Sequence, residues 1–262
     1  MRIDLNSDMG ESYGAWKMGD DAAMLRIVTS ANVACGFHGG DWNVMYETAR
    51  IARENGVAIG AHPGFNDLAG FGRRVIRGDS MAEIERMMAY QIGAMQALAT
   101  MAGHTVTHVK PHGALGNLVN EEDDFALAVG RAIKAVDPRL IYVVMPGRNS
   151  EKAAATLGLP VAREFFADRT YDDNGQLTSR KKPGSVIHDA SEAAARVVRT
   201  LQDGAIVTVN GARIKVDIDT ICVHGDSPSA VAIARAVRAG LEEAGFVLAP
   251  FAASPASDKR AP

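Results

Sequence analysis

Four of the chain's seven histidines stand where a short apolar run breaks off: His38 in "SANVACGFHGGD", His62 in "GVAIGAHPGFND", His112 in "TVTHVKPHGALGN" and His224 in "DTICVHGD". Imidazoles change charge near neutral pH, so this residue type suits proton transfer. Polar and ionisable companions occupy the same kind of position. Asn6, Asp8 and Glu11 follow the first run. Asn32 and Cys35 accompany His38, with Asp41 after it. Asn66 and Asp67 follow His62, and Lys110 precedes His112. Arg148 follows the fifth run, and Glu164, Asp168, Arg169, Tyr171 and Arg180 belong to the sixth. Asp226 follows His224. A carboxylate, an amine and several imidazoles in one place supply a base, a cation for developing negative charge and an acid.

Each residue also has a structural reading. A single strand-end histidine is more often a hydrogen-bonded structural residue than a catalyst, and only convergence of the set argues for chemistry. Asp41 reads as the N-cap of the helix after it, Asp226 as a cap beside Ser227, and Glu11 equally as a turn stabiliser. Lys110 at a strand end must find an anion or reach water, and a buried ion pair with Asp8 or Glu164 answers that need. Cys35 next to His38 lacks an activated-thiol signature and reads as a small buried residue. Gly36, Gly39 and Gly40 let the backbone bend and approach a ligand closely. Asp8 with His38, His62, His112 or His224 is a donor set of the right type for zinc. None of these has compact ligand spacing such as H-E-x-x-H, so no metal ligand is assigned. There is no G-x-S-x-G, no P-loop and no strand-linked G-x-G-x-x-G, which leaves acyl-serine chemistry and a nucleotide site of the chain's own unsupported.

Such a site requires elements that deliver distant residues to one place. Seven short apolar runs rich in β-branched residues recur: "RIDLN", "IVTSANVA", "GVAIGAH", "TVTHVK", "RLIYVVM", "VAREFF" and "DTICVHG". Amphipathic stretches separate most of them. One follows Asp41, one runs from Ser80, one is "EEDDFALAVGRAIKAV", acidic first and basic later, and the last opens with Ser227 as cap and Pro228 at the first helical position. Strands alternating with helices predict a parallel sheet with helices outside it. Seven strands predict a single α/β domain over residues 1–250, an irregular seven-stranded β/α barrel, with an open doubly wound sheet as the alternative. In such folds the carboxyl ends of the strands carry the active site. The strand-ending Lys-Pro-His-Gly then turns sharply and leaves Lys110 and His112 facing the barrel mouth. "DRTYDDNGQLTSRKKPGSVIHD" breaks the rhythm as a long polar loop, of a kind usually functional or disordered. Asn210-Gly211 between two alternating runs predicts a hairpin. The small, polar residues 251–262 read as a flexible tail.

The 262 residues are 47% hydrophobic and 23% charged, a globular balance that buries a core without staples. A net charge of −3 gives no basic field for nucleic acid. Two distant cysteines, no apolar leader and no membrane-spanning run predict a reduced, cytoplasmic protein.

"DLNSDMGE", "SANVACGFHGGD", "GAHPGFND", "HVKPHGALGN", "EFFADRTYDDNGQLTSR" and "ICVHGD" together resemble the lactam-utilisation (LamB/YcsF) family, from residue 4 to about residue 248. The resemblance implies the seven-stranded barrel shared with polysaccharide deacetylases and glycosidases. It implies opening of 5-oxoproline to L-glutamate as part of an ATP-dependent 5-oxoprolinase. ATP is then the cosubstrate, hydrolysed to ADP and phosphate, and two further subunits, B and C, are needed to activate the lactam. On that footing Asp8 or Glu11 is the base for water, and Lys110 with Arg180 holds phosphate or carboxylate. His62, His112 or His224 moves protons, and Asp168 orients one of them. Asn6, His38, Asp168 and Arg180 are the expected substrate-binding residues. Two other classes compete: a metal-dependent deacetylase or sugar hydrolase, and a non-catalytic carrier of an activated lactam.

Overall fold

A computed structural model describes residues 1–251 and the backbone of 254–255; the tail expected over 251–262 lies otherwise outside the described residues. In chain order the strands are β1 (Arg2–Met9), β2 (Ser30–Ala34), β3 (Ala58–His62), β4 (Val106–Val109), β5 (Ile141–Val144), β6 (Pro160–Phe166), β7 (Ala205–Val207), β8 (Arg213–Lys215), β9 (Thr220–His224), β10 (Val247–Leu248) and β11 (Ser254–Pro255). The helices are α1 (Asp21–Met24), α2 (Trp42–Glu54), α3 (Met81–Met101), α4 (Gly113–Glu121), α5 (Asp123–Val136), α6 (Asn149–Leu157), α7 (Ala190–Asp203) and α8 (Ala230–Glu243). Strands β1 to β6 pair in order, all parallel, and β9 pairs with both β6 and β1. That closes a barrel of seven strands, and the open sheet is excluded. β10 adds to β1 and β11 to β6 outside the ring. The Asn210-Gly211 hairpin is present as β7 and β8, with Gly211 at φ +85°.

The helices form where the sequence provides caps and apolar stripes. Asp41 accepts from Asn43 and Val44 N–H, and Ser80 with Glu83 forms a reciprocal capping box. One expected cap is corrected. α8 begins at Ala230 with Ser229 as N-cap, so Ser227 and Pro228 precede the helix, and the Asp226 carboxylate pairs with Arg73 instead. Among the described residues, no helix is long and apolar enough to cross a membrane.

The barrel interior is polar, because β1 presents Asp4, Asn6 and Asp8 to it at the strand's two-residue period. Each occupies a tier. Asp4 accepts from Thr29, Ser30 and Thr220. Asn6 donates to Glu164 and Thr220 and accepts from Asn32. Asp8 accepts from Asn32 and Lys110. On the adjacent strands β3 and β4, Gly60 is level with His108, and a Cβ on Gly60 would collide with that imidazole. Only glycine lets His108 reach Asn32 at 3.0 Å. Outside, the apolar faces of the helices and strands pack as one core, with Ile84, Met88, Ile92 and Met95 of α3 all sealed in it.

Asp4 links this polar floor to pH. Burial pushes its carboxyl up to about 6 against the lowering effect of the three hydroxyls. The fold therefore favours protonated Asp4. That contribution is fully present below the usual aspartate pKa near 4 and is lost as pH rises through about 6. Wild-type protein is expected to lose on the order of 3 kcal/mol of unfolding free energy relative to Asp4→Asn between pH 4 and 7. Denaturant titrations at several pH values measure this, and parallel curves would refute it.

Candidate active site

Closing the barrel brings the carboxyl ends of the strands together around a cavity of about 480 Å3. Asp8, His62, Lys110, His112, Arg180 and His224 all line it, although they come from distant strand ends and the long loop after β6. Glu11, His38 and Asp168 stand behind this first layer and touch it: Glu11 and His38 beside His112, and Asp168 beside His224. Asn6 lies a tier deeper, its amide committed to Glu164, Thr220 and Asn32.

The register explains the meeting. Asp8 is level with His224 on one neighbour and Asn32 on the other, and Ala34 is level with His62. Lys110 then reaches across the barrel axis. Its Nζ lies 2.8 Å from Asp8 Oδ1, 2.8 Å from Glu164 Oε1 and 3.1 Å from Cys222 Sγ, and 4.9 Å from the Phe166 ring centre. An ammonium has three donors, and three acceptors surround it. Both anions considered for Lys110 are therefore its partners at once. Burial works against charge on both Lys110 and Asp8, but the pairing prevails. Asp8, Cys222 and Glu164 hold Lys110 well above its usual range, and His62 and Lys110 hold Asp8 well below its own. The site thus keeps an ionised carboxylate in a nearly dry place.

A second group is imidazole-rich. His62 Nδ1 lies 2.7 Å from the Lys110 carbonyl and His112 Nε2 lies 2.8 Å from the Phe71 carbonyl. His62 Nε2 and His112 Nδ1 face each other at 3.0 Å. The His38 ring stacks on His112 with centroids 3.6 Å apart and approaches Glu11 Oε1 at 3.3 Å through Nε2. Burial pushes Glu11 up to about 7 and, aided by neighbouring imidazoles, pushes His38 and His112 well below the usual histidine range. Candidate ligand atoms of Glu11, His38, His62 and His112 all lie within 4.8 Å of one another, close enough for members of this group to share a metal ion. The glycines of "GFHGGD" let the backbone pack closely here. A Cβ on Gly40, at φ +75°, would meet the Gly10 and Ala34 carbonyls, and one on Gly39 would meet the Glu11 backbone, so glycine at both positions lets the His38 loop lie against Glu11.

A third group is the His224–Asp168 pair, with Nδ1 at 2.8 and 2.9 Å from the two carboxylate oxygens. The carboxylate keeps the proton on Nδ1 and leaves Nε2 as the lone-pair nitrogen. At the mouth, burial and repulsion from Arg73 push Arg180 below its usual range, and Arg169 stands nearby, lowered to about 10 by burial and by Arg180. Crowded guanidinium groups of this kind favour an anion between them.

Arg73 is not among the residues expected from sequence, although "GFGRR" carries two arginines in a glycine-punctuated loop after the third strand. Gln176, Asn117 and Asn120, which extend the cavity's polar wall, give no signal beyond lying in or near family motifs. Cys35 is inert: its thiol donates to the Val33 carbonyl, and burial pushes it up to about 12.

A model of the LamB/YcsF family matches residues 3–256. A protein of Rhodopseudomonas palustris (strain BisB5), named as a 5-oxoprolinase subunit, is 60% identical over 252 residues, covering 96% of this chain and 99% of that one. The crystal structure of a lactam utilization protein from Thermus thermophilus matches with a TM-score of 0.90 and 45% identity, covering 96% of this chain and 100% of that one. The catalytic domain of a peptidoglycan N-acetylglucosamine deacetylase from Eubacterium rectale ATCC 33656 matches with a TM-score of 0.52 and 12% identity, covering 98% and 92%, a likeness of fold alone.

Proposed function

Because the chain belongs to the LamB/YcsF family, we propose that it is the ring-opening subunit of an ATP-dependent 5-oxoprolinase, converting 5-oxoproline to L-glutamate. One observation above all supports this reading: an ionised carboxylate, a dry imidazole cluster, an oriented histidine and a cationic mouth share one cavity of small-molecule size. A five-membered lactam is a stable amide. Activation of its oxygen by ATP makes the ring carbon electrophilic, and that step falls to the partner subunits B and C. The enzyme is then a multisubunit complex, with ATP as cosubstrate of the whole and a cytoplasmic setting.

Within this chain Asp8 takes the proton from water as it adds to the ring carbon, acting with His62, whose Nε2 lies 3.5 Å from Asp8 Oδ2. His224, held by Asp168 through Nδ1, faces the cavity; its bare Nε2 takes up a proton from solvent and passes it to the ring nitrogen as the carbon–nitrogen bond breaks. A second water then releases phosphate. Lys110 acts through Asp8, since its donors are already engaged, and the Arg73–Arg180 mouth takes the substrate's carboxylate or phosphate. The test is reconstitution: ATP-dependent glutamate release should require this chain together with B and C, and omission of any one should abolish it. Undiminished turnover by B and C without this chain would end the proposal.

A further inference from the structure

We propose that His62, His112 and Glu11 form a binding site for one divalent transition-metal ion of the zinc type, with an open coordination position towards the cavity. Hydrogen bonding fixes the tautomers. A backbone carbonyl only accepts, so His62 carries its proton on Nδ1, against the Lys110 carbonyl at 2.7 Å. By the same rule His112 carries its proton on Nε2, against the Phe71 carbonyl at 2.8 Å. The nitrogens left bare, His62 Nε2 and His112 Nδ1, point at each other at 3.0 Å. Glu11 Oε1 lies 3.6 Å from His112 Nδ1, and Asp8 Oδ2 borders His62 Nε2 at 3.5 Å. All four residues are buried, and the nearby Lys110 has its three donors committed elsewhere. Two bare imidazole nitrogens face each other here with the Glu11 and Asp8 carboxyl oxygens at their flanks, a lone-pair-rich pocket that one cation would satisfy in place of a proton.

The spacing suits a metal. Bonds of about 2.1 Å arranged tetrahedrally put neighbouring donor atoms about 3.4 Å apart, and the two adjacent spacings here are 3.0 and 3.6 Å. The His62 and His112 planes cross at 88°, so a single point can lie in both ring planes. His38 is excluded as a ligand on the same ground. Its ring is parallel to His112 within 2° and stacked 3.6 Å away, so an ion in the His112 plane is out of the His38 plane. His38 instead holds Glu11 through Nε2, and its Nδ1 has no hydrogen-bond partner among the described residues. The carbonyls supply the outer support that metal-binding histidines use. Phe71 has the one positive φ (54°) among the described non-glycine residues, and its carbonyl is the one facing His112. Because His62 and His112 both line the cavity, an ion there would meet a carbonyl oxygen or water as a Lewis acid.

Metal binding needs neither ATP nor partner chains, so its failure and that of the lactam reading are separable. Chelator-stripped chain, titrated with zinc chloride and with cobalt chloride in a calorimeter, should take up one equivalent and retain it through gel filtration. Bound cobalt should show the visible absorption of a nitrogen-ligated, low-coordinate site. His112→Gln and the near-isosteric Glu11→Gln should each weaken binding at least about tenfold. His104→Ala, whose imidazole sits against the Val57 carbonyl, should leave it unchanged. If His112→Gln fails to fold, Glu11→Gln and the cobalt spectrum of the unaltered chain still decide. No bound equivalent, or equal binding by the folded variants, would overturn the proposal.

Discussion

Replacing Lys110 with methionine is expected to cost about 3–5 kcal/mol of folding stability, the penalty for leaving a buried charge without its partner. The reason lies in what remains. Asp8 and Glu164 would face each other across the barrel axis with no cation between them, both nearly inaccessible to water. One must take up a proton, and Asp8 would lose an interaction that keeps it ionised. Methionine fills similar volume, so the loss reports charge rather than a cavity. Ring opening should fall with it. Denaturant unfolding of wild type and variant at pH 7 measures the first effect. A difference under about 1 kcal/mol, the scale of a surface pair, would show that the ion pair is not the buried pair described here.

Asp8→Asn is expected to lower glutamate release about a thousandfold, within the range ascribed to a positioned acid–base group. Asparagine keeps the size and can still accept from Lys110 and Asn32, so the barrel should remain folded. What disappears is the negative charge that can receive a proton from water. Steady-state assays of the reconstituted complex, with circular dichroism to verify folding, check this. Wild-type turnover with folded Asp8→Asn chain would remove Asp8 from the chemistry.

The barrel is legible in the sequence because its strands are short β-branched runs separated by helical stretches, and each of the seven runs is a strand of the ring. Strand ends are legible because His-Pro-Gly and Lys-Pro-His-Gly cannot continue a strand. Other features are hidden for definable reasons. α4 spans "GALGNLVNE", nine residues with two glycines, too short and too glycine-bearing to announce a helix. The start of α8 is misplaced by sequence because Ser-Pro fits a helix start by type, while the chain spends Asp226 on Arg73 instead. Asp4 looks like an ordinary polar residue on a strand, and only closure of the barrel shows that it faces the interior and that Asn6, expected to meet substrate, is tied up in the same polar floor. Partner choice is least visible of all. Residue types point to Asp8 or Glu164 for Lys110, but that both bind it at once depends on β1, β4 and β6 meeting at one level. Likewise, Asp168 is a candidate to orient some histidine, and the pairing of β6 with β9 selects His224.

The central claim is that the ring opens in this chain's cavity while ATP is spent by its partners. Counting phosphate and glutamate released by the complex carrying Asp8→Asn chain tests it most directly. Phosphate should continue to appear in large excess over glutamate, because activated lactam forms and decays without productive attack by water. A constant one-to-one ratio, whatever the rate, would place the ring-opening step elsewhere.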